Sequence, residues 1–260
     1  MLVSLILPSY KRAELLDLNF QALLKNNSLN YGLEIIVLND YLEDRTKEVC
    51  LKYQDILNIR YFFTGKRNLE KITSRVAGFA LNIGIKQALG EIIVLSCPEV
   101  FQLNNALDIL VEATIKNPKS MVIPEYVLDD RKNSFTQEIL KDVNFKISEQ
   151  YLNCTQDDIE SAKMPFFMGM WKKEYLERGG YNEEMTGYAA DDNEFITRLE
   201  FNGLNFVRVP SKVVHLWHGN HCDGQLHWDN PAWVFNYKIF QNTLKNKIIK
   251  SNVGKEWGVL

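Results

Sequence analysis

All four histidines of this chain, His215, His218, His221 and His227, fall within thirteen residues, with Cys222 and Asp223 among them. Imidazole and thiolate are ordinary zinc ligands, so zinc is one reading of the cluster. The spacing matches no zinc finger, and Gly219 breaks any helix there; a lid or a core histidine is the plainer alternative. A second constellation is acidic. Asp191-Asp192-Asn193-Glu194 opens a helical pattern, and Asp191 and Glu194 have the spacing of a capping box. That arrangement spends Asp191 on structure and leaves Asp192 on the first turn, free to act as a general base. The helix N-terminus is expected to lower its pKa. A third set follows short apolar runs: Pro8-Ser9-Tyr10-Lys11-Arg12, Asn39-Asp40 and Ser96-Cys97-Pro98-Glu99. Polar groups beyond strand ends line the ligand crevice of open α/β sheets. Neither G-x-G-x-x-G nor a Walker A sequence is present, so dinucleotide and P-loop readings lose support.

The elements that must position these groups alternate. Apolar runs at 3–7, 34–38, 59–63, 92–95 and 121–123 predict strands, and the patterns over 13–25, 46–53, 72–89 and 103–116 predict helices. Strands apolar on both faces, alternating with helices, indicate a mostly parallel sheet covered on both sides. Residues 125–163 are polar and irregular and read as a loop-rich insertion. The run 165–171 returns to the sheet, 191–202 is a helix, and 207–217 is strand and loop. Beyond Trp233, an apolar stripe of Tyr237, Phe240, Leu244 and Ile248 is surrounded by Lys238, Lys245, Lys247 and Lys250. No repeat or linker interrupts the chain. One domain is expected, with a nucleotide-binding half at 1–124, an acceptor and catalytic half at 125–230, and a C-terminal basic amphipathic helix at 231–260.

At 260 residues, 46% hydrophobic and 24% charged, the composition is that of a globular chain. A net charge of -3 gives no reason to expect nucleic acid as a partner. The longest apolar run, 91–96, has strand length, so no membrane span is expected. The first residues lack the basic start of a signal peptide. Four scattered cysteines without a C-x-x-C pair suggest a reduced, cytoplasmic protein. The lysine-rich stripe suits peripheral contact with an anionic membrane or a lipid-linked acceptor. Packing against the domain with the lysines solvated is the plainer alternative.

The order of motifs resembles the GT-A glycosyltransferases, in particular glycosyltransferase family 2. Leu5-Ile-Leu-Pro-Ser-Tyr-Lys-Arg12 is similar to that family's opening strand and loop. Glu34-Ile-Ile-Val-Leu-Asn-Asp40, with Asp44 and Thr46, is similar to its second strand and turn. Ala80-Leu-Asn82, Gly84, Ala88 and Gly90-Glu91 are similar to its next helix and strand. Gly179-Gly-Tyr-Asn-Glu183, Asp191-Asp192 and Arg198-Leu199 are similar to its late Gly-Gly and acidic block. The likeness runs in order over about residues 1–217.

The resemblance implies a GT-A fold: a Rossmann-like mixed sheet flanked by helices, as a single domain. It implies a nucleotide-diphosphate sugar, usually of UDP, as donor and a glycan, lipid or protein hydroxyl as acceptor. Asp40 would accept from the base, since an ionised carboxylate only accepts. Pro8, Ser9 and Tyr10 would line the base, Arg12, Lys71 or Arg75 would reach the diphosphate, and Asn82 would belong to the same nucleotide site. Asp192, beside Asp191, falls where the family places its catalytic acid. The family's metal motif, Asp-x-Asp, is replaced by Cys97-Pro98-Glu99, which leaves one carboxylate. Glu99, with His215 or else His218, would hold Mn2+ or Mg2+ at the diphosphate. Trp217, Trp228 and Trp233 are candidate sugar or base platforms. The altered motif keeps a non-catalytic nucleotide-sugar or glycan-binding module as the rival. A nucleotidyltransferase is disfavoured by the loop after the first strand, which is not glycine-rich.

Overall fold

The computed structural model describes residues 1–40, 43–65, 76–142, 165–187, 189–219 and 231–260. Eight strands form one mixed sheet: β1 (Leu2–Ser9), β2 (Gly32–Asp40), β3 (Ile59–Gly65), β4 (Ile92–Ser96), β5 (Val100–Gln102), β6 (Ser120–Asp129), β7 (Phe167–Trp171) and β8 (Asn205–His215). They lie in the order β3-β2-β1-β4-β7-β6-β8-β5. The first four are parallel, β7 runs antiparallel to both β4 and β6, and β6 pairs parallel with β8.

The apolar runs are continuous because both faces are covered. Alternate residues of a strand point to opposite faces. Val3, Leu5 and Leu7 of β1, with Ile92 and Val94 of β4, enter one core, whereas Ile6, Ile93 and Leu95 enter the other. The first core is closed by α1 (Ala13–Asn26), α2 (Thr46–Tyr53) and α4 (Ala106–Lys116). The second is closed by α3 (Ala77–Gln87) and by two later helices, α6 (Lys172–Glu177) and α7 (Asp191–Phe201).

The stretch after residue 125 departs from its irregular reading. β6 continues to Asp129, and α5 (Ser134–Lys141) follows, burying Phe135 and Ile139 against Leu15 and Leu18 of α1. Its N-terminus is satisfied by Asp130, whose carboxylate accepts from the N–H groups of Ser134 (3.0 Å) and Thr136 (2.7 Å). That cap lies upstream of Asn133, which takes the left-handed conformation (φ 56°), so the usual spacing signal is absent.

The C-terminal helix α8 (Pro231–Asn246) packs on the domain with its lysines solvated, but not through its apolar stripe. Its buried residues are Asn236 and Thr243, which bond to Thr186, Ala189 and Glu194. Phe235, Tyr237 and Leu244 are exposed instead. No described helix is long and apolar enough to cross a membrane.

Candidate active site

Three adjacent parallel strands, β2, β1 and β4, bring their carboxyl ends to one edge of the sheet. The register sets Ser9 beside Asn39, so the Pro8–Arg12 loop and Asp40 leave the sheet together. Ser9 is buried, and its hydroxyl lies 3.1 Å from that of Thr46, which ties the loop to α2. Asp40 follows a register shift between β2 and β3 and accepts a hydrogen bond from Thr64. Asn39 donates to the Tyr61 hydroxyl (3.0 Å).

Beyond β4, the Cys97–Glu99 turn is held from two sides. The Asn19 side chain donates to the carbonyls of Cys97 (3.1 Å) and Val100 (2.8 Å), and the Leu216 N–H donates to the Glu99 carbonyl (2.8 Å). Because β8 ends here, paired to both β5 and β6, His215 stands opposite Asp129 and Val100. Glu99 is buried and takes the Arg12 Nε–H at 2.8 Å; Arg12 Nη2 reaches His218 Nδ1 at 3.2 Å. The His215 and His218 rings are 5.1 Å apart. Burial alone would raise the Glu99 pKa, but the electrostatic pull of the His218, His215 and Arg12 side chains outweighs it and holds the carboxyl below its ordinary value. His215 Nδ1 lies 3.2 Å from Asp129 Oδ1. That hydrogen bond, helped by Arg131 and opposed by burial, pulls Asp129 down to about 2. A carboxylate behind one imidazole nitrogen orients the other toward a ligand.

The second acidic centre is built by α7. Asp191 does not form the expected capping box. Ala190 is the N-cap, in the left-handed conformation (φ 66°), and Asp191 is the first helical residue. Glu194 is fully buried and accepts from Arg198 Nε (2.8 Å) and the Thr243 hydroxyl (3.0 Å). Arg198, also fully buried, donates onward to the carbonyls of Arg178 (2.9 Å) and Gly180 (2.7 Å). The Gly179-Gly180 turn is thereby fastened to the helix that carries the acids. At Gly180 (φ 62°) a Cβ would come within 2.3 Å of Asn82 Oδ1, so glycine is required.

Asn82 is a correction. It is fully buried in α3, accepts from the Tyr181 N–H (2.8 Å) and donates to the Tyr181 carbonyl and Glu183 (both 2.9 Å). Its amide is spent on the turn and does not face the crevice. The protonation of the acidic pair is also corrected. Burial pushes Asp191 up to about 6 against the backbone N–H groups around it. Asp192 is raised well above the carboxylate range by burial and by Asp191, and is opposed only by a hydrogen bond from Tyr181 (3.1 Å). Desolvation and like charge thus exceed the helix-terminus effect that predicted the opposite sign. The Cys97 thiol, pushed up by burial and Glu99, also feels Asp192, which places it between the two acidic centres.

Arg75, Lys71, His221, Cys222, Asp223, His227 and Trp228 lie outside the described residues. Among the described residues no three His, Cys, Asp or Glu side chains converge closely enough to hold a metal ion, and Arg12 stands between two of the donors expected to do so. Sequence reasoning missed Asn19, Asp129 and Tyr181. Only Tyr181 carried a signal, in the Gly-Gly-Tyr run.

A mixed sheet with a polar crevice at its parallel strand ends, an acidic pair opening a late helix and a glycine turn beneath it define the GT-A glycosyltransferase fold. Residues 4–178 match the Glycosyl transferase family 2 profile, and residues 166–221 match the N-terminal domain of galactosyltransferase. The chain belongs to glycosyltransferase family 2. It is 23% identical over 249 residues to the chondroitin synthase of Escherichia coli, covering 82% of this chain and 34% of that protein. It is 23% identical over 227 residues to the validoxylamine A glucosyltransferase of Streptomyces hygroscopicus subsp. jinggangensis, covering 78% and 52%. The chain therefore spans about a third to a half of these curated relatives. Among solved structures, TarS of S. aureus with UDP-GlcNAc superposes with a TM-score of 0.64 at 14% identity, covering 95% of this chain and 67% of that one. GalNAc-T7 with UDP, GalNAc and Mn2+ gives 0.66 at 14%, covering 94% and 48%. At such identities these likenesses show the fold.

Proposed function

We propose that this chain transfers a sugar from a UDP-sugar to a hydroxyl of a glycan or lipid-linked acceptor, with inversion and with Asp192 as general base. The observation that carries this is the pairing of two unlike acidic centres around Cys97. One is the Asp191–Asp192 pair, whose pKa values are raised and which is bonded by the Tyr181 hydroxyl, and the other is Glu99, whose pKa is lowered and which is bonded by Arg12. In an inverting displacement the acceptor O–H loses its proton to the Asp192 carboxylate. The acceptor oxygen then bonds to the anomeric carbon as that carbon's bond to the diphosphate oxygen breaks, and UDP leaves. A raised pKa suits the base, because a weakly acidic carboxyl takes a proton more readily.

Asp40 and the Pro8–Tyr10 loop would receive the base at the ends of β1 and β2. Arg12 would offer positive charge to the diphosphate. Glu99, with His215 or His218, would hold Mn2+ or Mg2+. The chemistry of Glu99 and His215 suits such an ion, a carboxylate and an imidazole backed by Asp129 at its Nδ1, and the described residues bring no third side-chain ligand to them. When bound, such an ion supplies charge stabilisation to the leaving diphosphate. The protein's own part is to present Glu99 ionised, which demands that Arg12 yield its place beside it. Peripheral membrane contact through α8 belongs to the same proposal. Its exposed Tyr237 and Leu244, the Trp233–Tyr237 stack (4.7 Å) and its lysines support that reading.

The test is a panel of nucleotide sugars, scored by thermal stabilisation and by UDP release, with and without Mn2+. The proposal expects a UDP-sugar to stabilise the protein and to be turned over. Stabilisation without turnover under every acceptor tried would favour the binding-module alternative, and no response to any UDP-sugar would overturn the donor assignment.

A further inference from the structure

Tyr181 is fully buried, and its backbone is pinned from both sides: Asn82 takes its N–H, while Asn82 and Asn252 donate to its carbonyl at 2.9 Å and 2.6 Å. Its ring stacks on Phe195 at 4.2 Å and 17°. On the other side Gly78 leaves it room, since a Cβ there would come within 2.4 Å of the ring. A phenylalanine would satisfy all of this packing. The hydroxyl is what packing does not require, and a buried hydroxyl is costly unless it is bonded. Its partner is Asp192 Oδ1, at 3.1 Å.

We propose that Tyr181 is a positioning residue for Asp192: its phenol holds Oδ1, fixes the carboxylate against α7, and leaves Oδ2 to take the acceptor's proton. This rests on the reading of Asp192 as the general base. The direction of donation is settled by the surroundings. Burial, then Asp192 and Asp191, push the phenol well above its ordinary pKa, so it stays protonated and donates. The groups that face Asp192 are otherwise acidic or neutral: Asp191 beside it on α7, and Cys97 from the turn after β4. Glu194 acts on Asp191, and Tyr175 adds to the acidity around Tyr181. Tyr181 therefore supplies a contact that favours the ionised base where burial and Asp191 oppose it.

The experiment is a titration of the full chain labelled with 13Cγ-aspartate, followed by NMR, with the Asp192 resonance assigned by its loss in Asp192→Asn. In Tyr181→Phe the Asp192 midpoint should rise by about one pH unit, as a hydrogen bond to the charged form is lost. Calorimetry should show UDP affinity changed by less than about twofold. An unmoved midpoint overturns the proposal. If Tyr181→Phe does not fold, 3,5-difluorotyrosine placed at 181 keeps the shape with a stronger donor. The midpoint should then fall, and an unmoved one again overturns the role. Transfer assays separate the two claims. Full transfer by Asp192→Asn would overturn the base reading, and this inference with it. An inactive Asp192→Asn beside an unmoved midpoint overturns the role of Tyr181 alone.

Discussion

Glu99 and the Asp191–Asp192 pair are carboxylates at the same crevice, yet their pKa values move in opposite directions, Glu99 down and the aspartates up. Glu99 is met by Arg12, His215 and His218. The aspartates are met by each other, by backbone N–H groups and by a phenol. Desolvation acts the same way on both, so the basic side chains around Glu99 decide the sign. The two halves of a displacement need that contrast, with fixed charge where the diphosphate leaves and a proton acceptor where the nucleophile arrives.

The strongest way to break the contrast is to remove the frame beneath the acids. Arg198→Met leaves Glu194 buried without its partner and frees the Gly179-Gly180 turn. Urea unfolding should show a loss of about 3–5 kcal/mol, as for other broken buried pairs. A loss under about 1 kcal/mol would mean that the pair does not hold the turn. Next comes Asp192→Asn. It should keep UDP binding and cut transfer about 100-fold or more, equivalent to about 2.7 kcal/mol of barrier. Glu99→Gln should do the reverse, weakening Mn2+-dependent UDP binding about tenfold by calorimetry while the Asp192 titration stays in place. Equal effects of the two variants on binding would erase the distinction between the centres.

A pH profile sharpens the contrast further. The base must be ionised, so transfer falls as pH drops through the pKa of the pair. Burial lifts Asp191 to about 6 and Asp192 well above the carboxylate range, so the acid limb of kcat/KM belongs near or above pH 6 rather than near 4. Asp191→Asn removes the like charge and should move that limb downward. The linkage to stability has the same origin. A carboxyl whose folded pKa is raised costs stability as pH rises through that range, whereas Asp129, pulled down to about 2, contributes stability above pH 4 that is lost on acidification. The smallest effect concerns α8. Exchanging Tyr237 and Leu244 for serine should lower cosedimentation with phosphatidylglycerol vesicles severalfold and leave UDP release in solution unchanged.

Much of the first half was legible because its signals are local. Val3–Leu7, Glu34–Leu38 and Ile92–Leu95 are apolar throughout, and only a sheet covered on both faces buries them. The polar groups after them had to meet at one edge once those strands ran parallel. The region from 125 onward was less legible. Its helix α5 is capped from Asp130 across a left-handed Asn133, and α8 turns Asn236 and Thr243 inward because bonds to Thr186, Ala189 and Glu194 outweigh its apolar stripe.

The sequence by itself determined the alternation of strands and helices, the strand-end polar loops, the single carboxylate left in the Cys97-Pro98-Glu99 turn and the acidic pair opening α7. These follow from neighbouring residues and from periodicity. Only the tertiary structure decided that Arg12 pairs with Glu99, 87 residues away, that Asp129 stands behind His215, that Asn82 serves the glycine turn, and that Tyr181 reaches Asp192. It also decided the sign of each carboxyl's shift. Protonation depends on which charges come within a few ångströms in a dry crevice, and the sheet order and helix docking bring those charges together.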